Sequence, residues 1–304
     1  SATTEAPLSS SSSSNTANKE QIMQLYKYLS SRGEMIEEEL DRIMSNLVKS
    51  CPAQLHKAIR YCTADEEGRH LASLCIAACE LVGGDRHAAL PMACTIEMWM
   101  AIILTTDDLP CMDNARTRKG RAAAHVEFDD TTAILAAQAL AALAFGTVVD
   151  STLVSTDKRL RLVKEFSLSM QRLVYGQYDD VKKGESLETL EELNAKNTNK
   201  TSSFFELPLV AGAIVGGAGE EEIEGLRRFG RYFGLMWQVN DDLSDATMTA
   251  EEMGKDASSD VKNRKTTYLT LVGAERSAQL RDELANRARE ALLERFPAKN
   301  VKIL

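Results

Sequence analysis

From residue 19 onward, apolar positions recur at three- and four-residue spacing, the period of amphipathic helices. KEQIMQLYKYLSSRGEMIEEELDRIMSNLV shows the pattern first, with a glycine punctuating it. LASLCIAACELVGG closes on two glycines, a usual helix stop. TDKRLRLVKEFSLSMQRLVYGQYDDV and EEEIEGLRRFGRYFGLMWQVNDDLSD continue it. AERSAQLRDELANRAREALLERF is amphipathic and charge-laced, with a proline directly after it. No segment shows the convincing alternation of a half-buried strand. The pattern predicts an all-α bundle, one domain over residues 19–304. AILAAQALAALAFGTVV (133–149) is apolar on most faces and is expected in the middle of that bundle. It is the longest apolar stretch and short for a bilayer span, so no transmembrane segment is predicted. Residues 1–18 are rich in Ser, Thr and Ala and read as a disordered leader.

Composition narrows the function. The chain has 304 residues, of which 44% are hydrophobic and 27% charged, enough for an ordinary core. Its net charge of −9 argues against non-specific nucleic-acid binding and against charge-driven adhesion to anionic lipid. An anionic substrate stays open, because divalent metals invert the local field. The six cysteines form no C-x-x-C pair, which disfavours a zinc site, and a chain of this size needs no disulfide framework. The Ser-rich start without Met is what removal of an organelle transit peptide leaves, and an artificially trimmed start leaves the same.

Two acidic clusters carry the candidate chemistry. TTDDLPCMDN (105–114) holds Asp107, Asp108 and Asp113, and NDDLSDA (240–246) holds Asp241, Asp242 and Asp245. Asp241 and Asp245 are four apart and share a helix face. Asp107 and Asp113 are six apart, about 240° around a continuous helix. They converge only if the helix ends between them, as Pro110 and the basic loop after it allow. Carboxylates suit hard cations such as Mg²⁺, which bridge to phosphate. Either cluster alone reads as a solvated acidic face. Together, directly after MWMAIILTTDD and FGLMWQVNDD, they read as a site. RTRKGR (116–121) follows the first cluster, Lys200-Thr201, Lys255 and Lys265-Thr266 bracket the second, and YGQYDD adds Gln177 and Asp180.

DDLPCMDN, GQYDD, NKTSSFFE, QVNDDLSD and GKDASSDVKNRKTTYL occur in the order and spacing of the trans-isoprenyl diphosphate synthases. From about residue 20 onward the chain resembles the plant geranylgeranyl diphosphate synthases, although it stops short of a further helical stretch that family members carry. The resemblance implies an all-α bundle around a central cavity, dimerisation, and Mg²⁺ held on an allylic diphosphate by two Asp-rich motifs. Ionisation then gives an allylic cation that isopentenyl diphosphate attacks, with charge neutralisation on the leaving diphosphate as the main catalytic device. By that resemblance Asp107, Asp108, Asp113, Asp241, Asp242 and Asp245 are metal ligands. Arg118, Gln177, Lys200, Lys255 and Lys265 touch the allylic diphosphate or its metals.

The chain departs from the family where isopentenyl diphosphate binds. The family motif G-G-K-R-x-R-P aligns with EEGRHLA (66–72). Glu66 and Glu67 replace the glycines, Gly68 the Lys, Leu71 the second Arg and Ala72 the Pro, while Arg69 survives. Met100 stands at the family His, Thr106 at the His before the first Asp pair, and Arg118-Lys119 at a later Arg pair. Charge-assisted donors to a diphosphate are worth about 1.5–3 kcal/mol each, so losing three removes roughly 4–9 kcal/mol, about three to six orders of magnitude in affinity. A slipped alignment would leave His70 to fill in. Ile102 and Ile103, just before the first cluster, either crowd a growing prenyl chain or pack as ordinary core.

CIAAC places Cys75 and Cys79 on one helix face. They read as small buried residues. The C-x-x-x-C pattern also resembles the plant small subunits that pair with a catalytic geranylgeranyl diphosphate synthase, where it is linked to association. On this resemblance the chain is expected to be a plastid accessory subunit, not catalytically competent alone because its donor site is lost, which forms a heterodimer with a catalytic homologue or pairs with itself. The alternative is an active Mg²⁺-dependent short-chain prenyl diphosphate synthase. A terpene cyclase or diphosphate-binding module using only the metal end is a third reading. No Gly-rich phosphate loop supports nucleotide binding.

Overall fold

The computed structural model describes residues 11–64, 68–182, 189–245 and 266–298. Among these, eleven α-helices and one short hairpin make an all-α bundle. α1 (Ser11–Leu47), α2 (Ala53–Thr63), α3 (His70–Leu81) and α4 (Arg86–Asp107) precede the hairpin strands β1 (Thr117–Arg118) and β2 (Arg121–Ala122). The short α5 (Ala124–Glu127) leads into α6 (Asp130–Val149) and α7 (Thr156–Lys182). α8 (Leu190–Asn197) runs through a π-helical turn (Thr198–Ser202) into α9 (Ser203–Gly216). α10 (Glu220–Asp245) and α11 (Tyr268–Leu293) complete the order.

Local chemistry marks the helix ends. Asp85 accepts the His87 N–H at 3.0 Å before α4, and Asp129 accepts the Thr132 N–H at 2.7 Å before α6. Thr189 and Glu192 form a reciprocal capping box at α8. α9 stops at Gly217, whose φ of 88° is the left-handed conformation glycine adopts without strain. The hairpin turns at Lys119 and Gly120, both at positive φ, which is the two-residue turn that strand twist favours. Sequence analysis read this segment only as a basic loop.

The centre of the bundle is α9, buried nearly throughout and packed on α3, α4, α7 and α10. Its approach to α3 requires glycine. A Cβ at Gly212 would lie 2.0 Å from the Cys75 carbonyl oxygen, and one at Gly216 would lie 2.3 Å from Val82 Cγ2. Alanine normally stabilises a helix interior by about 1 kcal/mol over glycine. Gly212→Ala is expected to do the reverse and destabilise by about 2–3 kcal/mol in a denaturant titration, because the obstacle is backbone.

Two expectations are corrected here. Cys75 and Cys79 are fully buried within the subunit, where α3 meets α9, so the thiols do not reach a surface where a partner could touch them. The small side chains serve close helix packing. Residues 133–149 are not in the middle: α6 packs one side on α4 and leaves Ile134, Leu135 and Val149 exposed. At 20 residues α6 is also as long and apolar as a membrane span, as is the core helix α4. α1 begins at Ser11, within the 1–18 stretch read as leader. Residues 1–10 lie outside the described residues.

Candidate active site

α4 ends at Asp107 and Asp108 caps it. After Pro110 the chain folds back, so that the Asp113 N–H donates to the Asp107 carbonyl at 2.9 Å and the Asn114 N–H to that of Leu109 at 3.1 Å. Asn114 sits at a φ of 51°, a conformation asparagine tolerates. The helix end thus returns Asp113 to Asp107, as the position of Pro110 predicted. Asp241, Asp242 and Asp245 occupy the last turn of α10. Both clusters therefore stand at helix C-termini, where the backbone dipole already concentrates negative charge. Carboxylates there are disfavoured by about 0.3–1 kcal/mol each when exposed, a local cost that a bound cation relieves.

The electrostatics follow from this crowding. Burial pushes the Asp107 carboxyl up to about 6; Asp113 and Asp108 add to the rise, and Lys200 and Arg118 oppose it. Arg118, reaching in from β1, donates Nε–H to both Asp108 oxygens at 3.1 and 3.2 Å and pairs with it through Nη2 as well. Lys200, on the π-helical turn, binds Asp180 at 2.7 Å, and Lys196 lies 3.3 Å from the same carboxylate. Gly176 of α7 makes room for that turn, since a Cβ there would meet the Lys200 nitrogen at 2.7 Å. Beside it, the buried Gln177 amide has no hydrogen-bond partner at either its oxygen or its nitrogen. A buried amide left this way is costly unless a ligand completes it.

The π-helical turn also links the clusters. Thr201 donates to Gln238 Oε1 at 2.8 Å, and Gln238 Nε2 donates to Asp242 at 2.9 Å. The Tyr268 N–H reaches the other Asp242 oxygen at 2.7 Å. Gln238 and Tyr268 are not among the site residues that the sequence motifs point to. The first was findable as the residue one turn before Asp242 on the same face. The second depends on where the chain re-enters after α10 and left no local signal. Lys255 and Lys265 lie outside the described residues.

The donor set fits a hard cation in kind: carboxylates next to an unpartnered amide. Among the described residues no three such side chains converge on one point. Two turns below Asp107 on α4, the Trp99 ring is buried against Phe204 and Phe166, at centroid separations of 5.0 and 6.3 Å. Ile103 belongs to the same core and Ile102 packs partly buried against it.

The other end of the site is different. Gly68 has a φ of 96° and is exposed. Arg69, only 5% exposed, donates to Glu97 of α4 at 2.9 Å and Nε–H to Glu37 of α1 at 2.9 Å. Leu71 is partly buried against the core, and Ala72 lies within it. Thr106 turns its hydroxyl back to the carbonyls of Ile102 and Ile103 at 2.9 and 3.0 Å. His70 is exposed in the first turn of α3. Glu66 and Glu67 lie outside the described residues.

Residues 52–297 match the polyprenyl synthetase family. The chain is 40% identical over 270 residues to geranylgeranyl pyrophosphate synthase 7, chloroplastic, of Arabidopsis thaliana, covering 87% of this chain and 77% of that protein. It is 40% identical over 259 residues to the chloroplastic geranylfarnesyl diphosphate synthase of Leucosceptrum canum, covering 83% and 71%. Among solved structures it resembles an FPP/GFPP synthase from Zymomonas mobilis, with a TM-score of 0.77, 27% identity and coverage of 93% and 96%. It also resembles a Helicobacter pylori geranyltransferase complexed with magnesium and isoprenyl diphosphate, with a TM-score of 0.74, 26% identity and coverage of 89% and 94%. A helical bundle with two carboxylate-bearing helix ends, matched over most of its length by such relatives, is a member of the polyprenyl synthetase family.

Proposed function

We propose that this chain is an accessory subunit that pairs with a catalytic geranylgeranyl diphosphate synthase and modulates its activity, product or location. The observation that carries the reading is the state of the donor end. Gly68, Leu71 and Met100 offer no cation or imidazole, and Arg69, the cation that survives in the motif, is neutralised by Glu37 and Glu97. The allylic end keeps its chemistry. Asp107, Asp108, Asp113, Asp241, Asp242 and Asp245 would hold Mg²⁺, and Arg118, Gln177 and Lys200 would face the allylic diphosphate. Mg²⁺, when bound, neutralises charge on a leaving diphosphate. The protein's own part is to present carboxylates from two helix ends and to keep Arg118 and Lys200 within reach. The chloroplastic relatives support a plastid setting.

The outward side of α6 supports a partner. Exposed Ile134, Leu135 and Val149 continue a helix that is apolar all round, which a homologous helix would cover. Size-exclusion of the chain with a catalytic plastid homologue is expected to give one heteromeric peak carrying the prenyltransferase activity. Replacing Ile134 and Leu135 by Glu is expected to abolish that peak without lowering the melting temperature. Separate elution of the wild-type proteins would overturn the reading.

The six carboxylates and the synthases among the relatives favour a second reading, an active short-chain prenyl diphosphate synthase. Turnover by the lone chain decides between the two.

A further inference from the structure

Tyr268 is completely buried although it opens α11. Its two polar ends act in different directions. The backbone N–H donates to Asp242 Oδ2 at 2.7 Å, and the phenol donates to Asn194 Oδ1 of α8 at 2.7 Å. Asp242 is thereby held from two sides, with Gln238 Nε2 on its other oxygen at 2.9 Å.

The turn that carries this N–H is set apart from the rest of α11. Thr267 and Thr270 cap it reciprocally, and Gly273 breaks the helix just beyond, with φ 79° and ψ 167°. A Cβ at Gly273 would touch nothing, so glycine serves the backbone conformation there and no packing contact. What fixes the turn is the Tyr268 side chain. Its ring sits in a small core with Leu193, Leu235, Val239, Leu280 and Leu284, and its hydroxyl is tied to α8.

We infer that Tyr268 is a positioning residue, a strut from Asn194 of α8 to the Asp242 carboxylate that sets its orientation toward a cation–diphosphate ligand. The inference rests on the reading that the carboxylate clusters hold Mg²⁺. Tyr268→Phe keeps the ring and the N–H and removes the ties of the hydroxyl, to Asn194 and to Asn197; Asn194→Leu cuts the first of these from the other end.

The test is calorimetric titration of the full chain with inorganic pyrophosphate in Mg²⁺. Wild type is expected to bind, and each variant to bind about three- to tenfold more weakly, the scale of one hydrogen bond. The double variant is expected to be no weaker than Tyr268→Phe alone, since that change already removes the Asn194 tie. Leu284→Ala, in the same small core, is expected to lower the melting temperature and leave affinity unchanged. Wild-type affinity in Tyr268→Phe, or equal weakening by Leu284→Ala, overturns the strut while the metal reading stands. No binding by wild type removes that reading and the strut with it.

Discussion

Incubated alone with Mg²⁺, isopentenyl diphosphate and each allylic diphosphate, the purified chain is expected to condense them at least about a thousandfold more slowly than a plastid geranylgeranyl diphosphate synthase does. The physical reason lies in the second diphosphate. Its family donors stand at positions that are now Gly68, Leu71 and Met100, and the loss of three charge-assisted contacts amounts to roughly 4–9 kcal/mol. Leu71→Arg with Met100→His restores two donors on regular helices and is expected to raise donor affinity by two orders of magnitude or more. Adding Gly68→Lys should contribute less than a full contact. Gly68 sits at a φ of 96°, so lysine there must first move the loop. Calorimetry with isopentenyl diphosphate, beside a product assay, separates binding from turnover. A native chain that is already fast, and that restoration does not improve, would establish the synthase reading.

Arg69→Met is expected to destabilise the fold by about 3–5 kcal/mol while leaving diphosphate binding unchanged. Arg69 is the residue that sequence alone presents as a remnant of the donor site. In the structure its guanidinium is buried between Glu97, itself 7% exposed in its side chain, and the half-exposed Glu37. Removing the cation that neutralises Glu97 is the costly part, since a buried carboxylate then loses its counter-charge. The contact with the exposed Glu37 contributes little by comparison. Chemical denaturation and pyrophosphate titration of the same variant give the two readouts. A stable variant with weakened anion binding would return Arg69 to the site and weaken the accessory-subunit proposal.

The π-helical turn at Thr198–Ser202 reaches toward both carboxylate clusters. Lys200 neutralises charge around Asp107, and its neighbour Thr201 starts the hydrogen-bond path to Asp242. An ordinary α-helix offers each of these residues a different direction, and such single π turns are common where function needs an off-register side chain. The turn fits only because Gly176 lacks a side chain on the facing helix. Asp107, buried and crowded by Asp113 and Asp108, is the electrostatically unfavourable part of the arrangement, as expected where binding shapes a sequence.

The sequence by itself determined the helical class, the positions of the two carboxylate clusters and the break between Asp107 and Asp113. These follow from local causes: apolar period, capping residues and Pro110. It also shows no cation or imidazole at 68, 71 and 100, and chemistry absent from a chain cannot be supplied by folding. Tertiary structure alone decided what depends on neighbours distant in sequence. It assigned Cys75 and Cys79 to the seam with α9, turned Arg69 toward Glu37 and Glu97, and left one side of α6 exposed. Periodicity reports that a helix face avoids water, but only packing in three dimensions reveals what covers it. Charge type is legible in the same way, whereas the partner that neutralises it is fixed by long-range approach.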